Sequence, residues 1–303
     1  MDDSLPAELL EHLKRLGQAI DIGQRPTVFD GGFVGFNSTD ESEVKSNVAQ
    51  RTPHRSPAGS WAGRRASART RAQAARHHFR SDALEGAYGS EFRLLAQHYE
   101  AIASEDENGL WVVTTSWPLG SYGPQVDFLI AFPRNCKFAP RGWAFQETGS
   151  NARLVSLKHT NFPDASICAY TDDDGAWPNS DGMLGLVDIF SIWMIKKWHR
   201  EVLGWWPGRQ AGACALYRRL EFVAEEQCGC LSGLRYRDCH EDADKLVQEE
   251  FARRQFVSLF GGEYEDRQPP PLVIEAARTR WRRMPRMASV FMYRLRDTEP
   301  LMF

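Results

Sequence analysis

The sequence predicts an α+β protein: a helix, an antiparallel β-meander and further helices, then a small Cys/His module and a helical tail. Three observations carry this expectation. Hydrophobic spacing runs from helical to alternating and back to helical between residues 90 and 203. A turn-rich segment, His159-Thr160-Asn161-Phe162-Pro163-Asp164-Ala165-Ser166-Ile167-Cys168, sits between the last predicted strand and a long helix. Downstream, Cys228, Cys230, Cys239 and His240 form a C-x-C-x8-C-H run, a density of soft donors that suits a metal.

The chain has 303 residues, enough for one large or two small domains, and ten Trp and seventeen Phe make its core aromatic. The first residues, Met-Asp-Asp-Ser-Leu-Pro, carry acids where a secretory signal has basic residues. No apolar run approaches the roughly 18 residues of a membrane span. A cytoplasmic location without a membrane partner is expected, and with it reduced thiols. The six cysteines are then structural, metal-binding or catalytic rather than three disulfides.

Residues 1–80 are expected to be an N-terminal arm and a flexible basic linker. Leu9, Leu10, Leu13, Leu16 and Ile20 recur at helical spacing up to about residue 22. From 38 to 76 periodicity is lost, and no Asp or Glu occurs from 45 to 80. The tract Arg64-Arg65-Ala66-Ser67-Ala68-Arg69-Thr70-Arg71 could touch phosphates, but only Trp61 offers a stacking platform beside it, so nucleic acid is not the expected partner.

Residues 81–212 read as the main domain. Ser90 is the expected N-cap of a helix with the stripe Phe92, Leu95, Tyr99 and Ile102, ended by Asp106-Glu107-Asn108-Gly109. Strands follow at 110–116 and at 125–132, where Val126, Phe128, Ile130 and Phe132 alternate inward, then around 143–146 and 153–157. A helix from about 181 to 203 places Met183, Leu184, Val187, Phe190 and Trp193 inward, with Gly204 ending it before Trp205-Trp206-Pro207-Gly208. Residues 213–262 form the Cys/His module with flanking helices at 216–226 and 242–260. Residues 263–303 form a basic tail: Pro269-Pro270-Pro271, a helix over 272–284 bearing Arg278, Arg280, Arg282 and Arg283, and a strand-like run at 289–295.

Acyl transfer through a thiol needs a partly exposed cysteine, because the thiolate is the nucleophile. Cys168 lies in a polar loop that suits this; Ile167 and Ala169 beside it leave a buried thiol as the other reading. Asn161, seven residues earlier, supplies an amide that would support the loop or a developing oxyanion. No dedicated strong base stands nearby. The run Asp172-Asp173-Asp174 would orient an incoming amine or form a solvated acidic loop. Cys136 and Cys214 have no such context, and His199 reads as a packed or surface helix histidine.

The order of elements and the His-x-Asn…Cys segment together resemble the ubiquitin-conjugating-enzyme fold. More closely, residues 88–207 resemble the divergent bacterial conjugating enzymes of anti-phage defence (CBASS-type) operons. In that family a His-Pro-Asn triplet precedes the catalytic cysteine by about ten positions; here Thr160 replaces the proline and nine positions separate His159 from Cys168. The resemblance implies that Cys168 forms a thioester, that Asn161 supports the loop or the oxyanion, and that His159 is the structural histidine of the flap. It implies a protein C-terminus carried on Cys168 and passed to a lysine, the cargo being a cyclic-oligonucleotide-synthesising nucleotidyltransferase or a ubiquitin-like protein. The sequence has no Gly-rich nucleotide loop and no adenylation domain, so either a separate activating enzyme prepares the cargo or the protein attacks an existing bond itself. A cysteine peptidase using Cys168 with His159 or His199, and a non-catalytic adaptor, are the competing readings. The run 228–240, with its internal Ser232-Gly233 and Tyr236, resembles the SEC-C motif. That resemblance implies structural zinc held by Cys228, Cys230, Cys239 and His240, with no open coordination position.

Overall fold

Helix α1 (Ala7–Asp21) forms where the leucine spacing places it, burying Leu13, Leu16 and Ile20 against the body of the protein. The structure is a computed structural model that describes residues 5–36, 86–107, 109–121, 123–134, 140–148, 151–169, 182–230, 232–282 and 284. The expected linker at 38–76, the acidic run at 172–174, Cys136 and the strand-like run at 289–295 lie outside the described residues.

After α1 comes a short hairpin that the sequence reading missed, β1 (Thr27–Phe29) and β2 (Phe33–Gly35), joined by a 3-10 turn at Asp30–Gly32. Three-residue strands are too short to show alternation. Gly32 is required at the turn: its φ is +83°, and a Cβ there would sit 1.9 Å from Ser116 Oγ.

Helix α2 (Gly86–His98) leads into a five-stranded antiparallel meander. Its strands, in spatial as well as chain order, are β3 (Glu100–Asp106), β4 (Gly109–Ser116), β5 (Val126–Pro133), β6 (Arg141–Thr148) and β7 (Asn151–Leu154). The expected helix through Ile102 is corrected here: the chain turns at His98, and residues 100–106 are strand. Ile102 fits a helical stripe by spacing alone. In the fold it faces one side of the sheet while Ala101 and Ala103 face the other, which is strand geometry.

Both faces of the sheet are apolar, so both need cover. Leu110, Val112, Val126, Phe128, Ile130, Phe132 and Ala144 pack under α1, α2 and the long helix α3 (Gly182–Leu203). Gly142 permits this closeness: a Cβ there would meet the Phe190 ring at 2.2 Å. Trp111, Val113, Leu129, Ala131, Trp143 and Phe145 form the opposite face. That face is covered by Val273, Ala276 and Ala277 of α7 (Pro271–Arg278) and by Trp281. Residues 271–281 of the expected basic tail are therefore the outer layer of the main domain. Its helix ends at Arg278 instead of 284; Arg280 and Trp281 have positive φ and turn the chain out of helix. Arg278 is exposed and pairs with Glu275, as a salt-bridged surface residue does.

Between the sheet and α7 in sequence lies the Cys/His module. It comprises α4 (Ala215–Glu221), a knuckle, a 3-10 turn at Tyr236–Asp238, α5 (Glu241–Leu246) and α6 (Glu249–Phe260). The helix expected over 242–260 is broken at Val247-Gln248, both in extended conformation; the break lets Val247 pack on the module core. Among the described residues, no helix is long and apolar enough to cross a membrane.

Candidate functional site

Cys168 is carried by a loop that closes on itself. Thr160 and Ile167 form an isolated antiparallel bridge, Asn161 N–H donates to the Ser166 carbonyl at 2.7 Å, and Ala165 N–H donates to the Asn161 carbonyl at 3.0 Å. Asp164 accepts from Ser166 N–H at 2.9 Å, the side-chain turn that Asp favours. The loop is anchored to β6: Ile167 N–H donates to the Gly142 carbonyl at 2.7 Å, and Trp143 Nε1 donates to the Asp164 carbonyl at 2.8 Å. Cys168 emerges beside this anchor, half-buried and without a disulfide.

The Asn161 side-chain amide donates to Ser166 Oγ at 3.1 Å and to the Ile167 carbonyl at 3.0 Å. The second bond fixes the peptide group immediately before Cys168. Both amide hydrogens are therefore used within the loop, which is the loop-supporting role rather than a free donor for an oxyanion.

His159 is a core residue. Its ring stacks on Trp206 with centroids 4.1 Å apart and lies parallel to Phe222 at 6.4 Å. Its backbone has φ +57°, outside the usual range for a non-glycine residue. Glu221 Oε2 accepts its N–H at 2.8 Å, and Trp193 Nε1 donates to its carbonyl at 3.1 Å. Burial, reinforced by Arg200, Lys197, Arg267 and Lys158, holds the imidazole well below the usual histidine range. Nε2 has no hydrogen-bond partner. His199 is likewise a packing residue: Nδ1 lies 2.8 Å from the Trp205 carbonyl, and its ring occupies the space left by Gly17.

The loop is also held from the C-terminal side, by residues that the sequence did not reveal. Phe162 is inserted among Tyr217, Phe256, Phe260 and Tyr264, with centroids 4.8 to 6.4 Å from its own. Fully buried Glu221 accepts from Tyr264 Oη at 2.7 Å and Arg267 Nη2 at 2.6 Å. Arg267 Nη1 donates to the Thr160 carbonyl at 3.2 Å. Burial and Glu221 hold the Tyr217 hydroxyl well above its usual range, with a further contribution from Cys168. No motif announces Glu221 or Arg267, since their partners lie 62 and 107 residues away.

The second site is the knuckle. Gln227 and Arg235 form an antiparallel bridge, and Cys228 N–H donates to the Leu234 carbonyl at 2.8 Å. The ligand atoms of Cys228, Cys230, Cys239 and His240 all lie within 4.8 Å of one another. Cys228 Sγ and Cys239 Sγ stand 3.3 and 3.1 Å from His240 Nδ1, and Cys230 Sγ stands 3.4 Å from Cys239 Sγ. Zinc bonds of about 2.3 Å to sulfur and 2.0 Å to nitrogen give tetrahedral edges of roughly 3.5 to 3.8 Å, close to these separations. The four residues could hold a metal ion, and the donor set is compatible with zinc. Ser232 Oγ lies 3.2 Å from Cys230 Sγ and 3.3 Å from Cys239 Sγ, as an outer-shell hydroxyl would. It draws Cys230 down to about 6, while burial pushes Cys228 up to about 12. A divalent cation would allow such crowded thiols to ionise together. Gly229 cannot be replaced cheaply, because a Cβ there would lie 2.3 Å from the Gly212 backbone nitrogen.

The knuckle is bound firmly to the main domain. Glu226, fully buried, accepts from Arg200 Nε at 3.0 Å, Trp206 N–H at 2.8 Å and Gln210 Nε2 at 3.0 Å. Arg235 grips Asp21 at the end of α1 with both terminal nitrogens. No family model, curated protein or solved structure matches the chain.

Proposed function

We propose that the protein is a ubiquitin-conjugating-like acyltransferase with Cys168 as its nucleophile. The observation that carries this reading is the bond from the Asn161 amide to the carbonyl immediately before a half-buried, disulfide-free Cys168. It sits in a frame of helix, antiparallel meander, loop and helix. Such a bond fixes the backbone of the nucleophile and so the position of its thiol.

In the proposed reaction the Cys168 thiolate attacks the activated C-terminal carbonyl of a protein cargo. A carbon–sulfur bond forms and the activating group departs with its electron pair. The amine of an acceptor lysine then attacks the thioester carbonyl, the thiolate leaves, and the amine proton passes to solvent or to an acceptor-side base. A separate activating enzyme would supply the first leaving group. A nucleotidyltransferase of a bacterial defence system and a ubiquitin-like protein are the cargo classes that the resemblance suggests; this step is analogy. The Cys/His module would hold structural zinc through Cys228, Cys230, Cys239 and His240, and all four positions of a tetrahedral ion would then be filled.

The peptidase reading requires an imidazole as base. The packed, unpartnered Nε2 of His159 and the His199 contacts with Trp205 and Gly17 do not favour it. The test is intact-mass analysis and a non-reducing gel of the protein co-expressed with its genomic neighbours, beside Cys168→Ala. A reductant-sensitive adduct that needs Cys168 is expected, and its mass names the cargo. Absence of any adduct, with biological activity retained in Cys168→Ala, would leave only an adaptor.

A further inference from the structure

The flap in front of Cys168 is held by the module and by the segment 264–268 that follows it, at every residue from 158 to 163 except one. Lys158 Nζ donates to the Leu220 carbonyl at 2.9 Å. His159 N–H donates to Glu221, and Arg267 donates to the Thr160 carbonyl. Phe162 fills the aromatic cluster of the module, and the Pro163 carbonyl accepts Gln268 N–H at 3.0 Å. The exception is Asn161, whose amide is turned the other way, to the carbonyl before Cys168.

Glu221 is the hub of this grip. It ends α4, is fully buried, and gathers the flap N–H, the Tyr264 hydroxyl and the Arg267 guanidinium on one carboxylate. Arg267 in turn lies over Phe162 and Tyr264, 4.4 and 4.8 Å from their ring centroids. A buried ion pair is a poor source of net stability, because desolvating both charges offsets their attraction. What it supplies is direction: three fixed donors and one fixed carboxylate define where the flap backbone lies. Phe162 also shares its cluster with Cys228 and Cys239, so the grip and the candidate metal centre belong to one packed unit.

We infer that Glu221 and Arg267 are positioning residues for Cys168, and that the Cys/His module is a working part of the thiol site rather than an appended domain. The inference rests on the acyl-transfer reading only in taking Cys168 as the reacting group.

The test uses the full, zinc-loaded chain and follows iodoacetamide alkylation of Cys168 against pH by peptide mass spectrometry. Glu221→Gln removes the carboxylate charge at nearly constant shape, Tyr264→Phe removes one hydroxyl, and Arg278→Gln is the surface control. Fold and metal content are checked by circular dichroism and elemental analysis. Losing one charge-assisted bond in a coupled network should change the Cys168 rate by about fivefold or more and displace its pH profile. A smaller change in the same direction is expected for Tyr264→Phe and none for Arg278→Gln. A folded, zinc-loaded Glu221→Gln protein whose Cys168 profile superimposes on the parent overturns the inference. If Glu221→Gln does not fold, Tyr264→Phe decides alone, an unmoved profile overturning the inference. A displaced profile in a parent that forms no thioester would remove the acyl-transfer reading and leave the positioning role standing. A thioester-forming parent with unmoved variant profiles would do the reverse.

Discussion

At the scale of single residues, the buried polar groups divide into those whose geometry offsets their burial and those that carry a cost. Asp188 carries one. Its half-buried carboxylate accepts the Tyr99 hydroxyl at 2.5 Å, and burial raises it from 3.8 to about 6 despite that bond and the nearby His98. A carboxyl raised in the folded state binds a proton that the unfolded chain releases, so its stabilising contribution is complete below pH 4 and lost as pH rises through 6. Asp188→Asn retains an acceptor for Tyr99 without the charge. We expect it to stabilise the protein at pH 7.5 by about 1–2 kcal/mol, after allowing for solvent screening of the shift. Near pH 4 the gain should vanish. Urea melts at the two pH values check this, and equal effects at both would mean that Asp188 is not the titrating group.

At the scale of elements, α7 shows how a sheet with two apolar faces dictates a second layer. Val273, Ala276 and Ala277 are small and lie flat on Trp143 and its neighbours, while Trp281 packs edge-on to Phe145 at 5.4 Å and bonds Asp127 at 3.3 Å. Trp281 is therefore the main anchor of this layer. Trp281→Ala should cost about 3 kcal/mol and raise binding of an apolar dye to the exposed sheet face. The Cys168 alkylation profile should not move, because Trp281 packs on Phe145 and bonds Asp127 rather than joining the aromatic cluster around Phe162. A loss below about 1 kcal/mol would show that α7 contributes little to covering the sheet.

At the scale of the whole molecule, the module is tied to α1 by Arg235–Asp21, to α3 by Arg200–Glu226 and to the flap by Glu221, Arg267 and Phe162. Its own core is one aromatic cluster around α4 and α6, adjoining the Cys/His knuckle. A unit so small would draw stability from a metal ion held by Cys228, Cys230, Cys239 and His240. Chelation should therefore release hydrogen-exchange protection over 213–268 and over 158–166 together, while β4, β5 and α3 keep theirs. Protection that persists in 158–166 after metal loss would show that the flap is held by the main domain alone.

How much was legible in the sequence follows from the range of the forces involved. Local periodicity set α1, the strands from β4 to β7 and α3 to within a few residues, and the existence but not the end of α2, because each apolar pattern is written in consecutive positions. The Cys/His cluster was legible for the same reason: its ligands span only residues 228–240, and chain geometry brings close spacing together. Cys168 and Asn161 were nameable because seven residues can close one loop. Elsewhere the same local signals misled, as at Ile102, whose spacing fits helix and strand alike, and at 247–248, where an unbroken helical pattern hides an extended break. Glu221, Arg267 and the covering role of α7 carry no local mark. A glutamate in a short helix and an arginine before prolines look like surface residues until the fold brings up partners from up to 107 residues away. The sequence by itself determined α1, α3, the central strands, the place of the thiol loop and the Cys/His cluster. Only the tertiary structure decided which side chains hold that loop, because a buried charge is tolerated solely where distant groups converge to satisfy it.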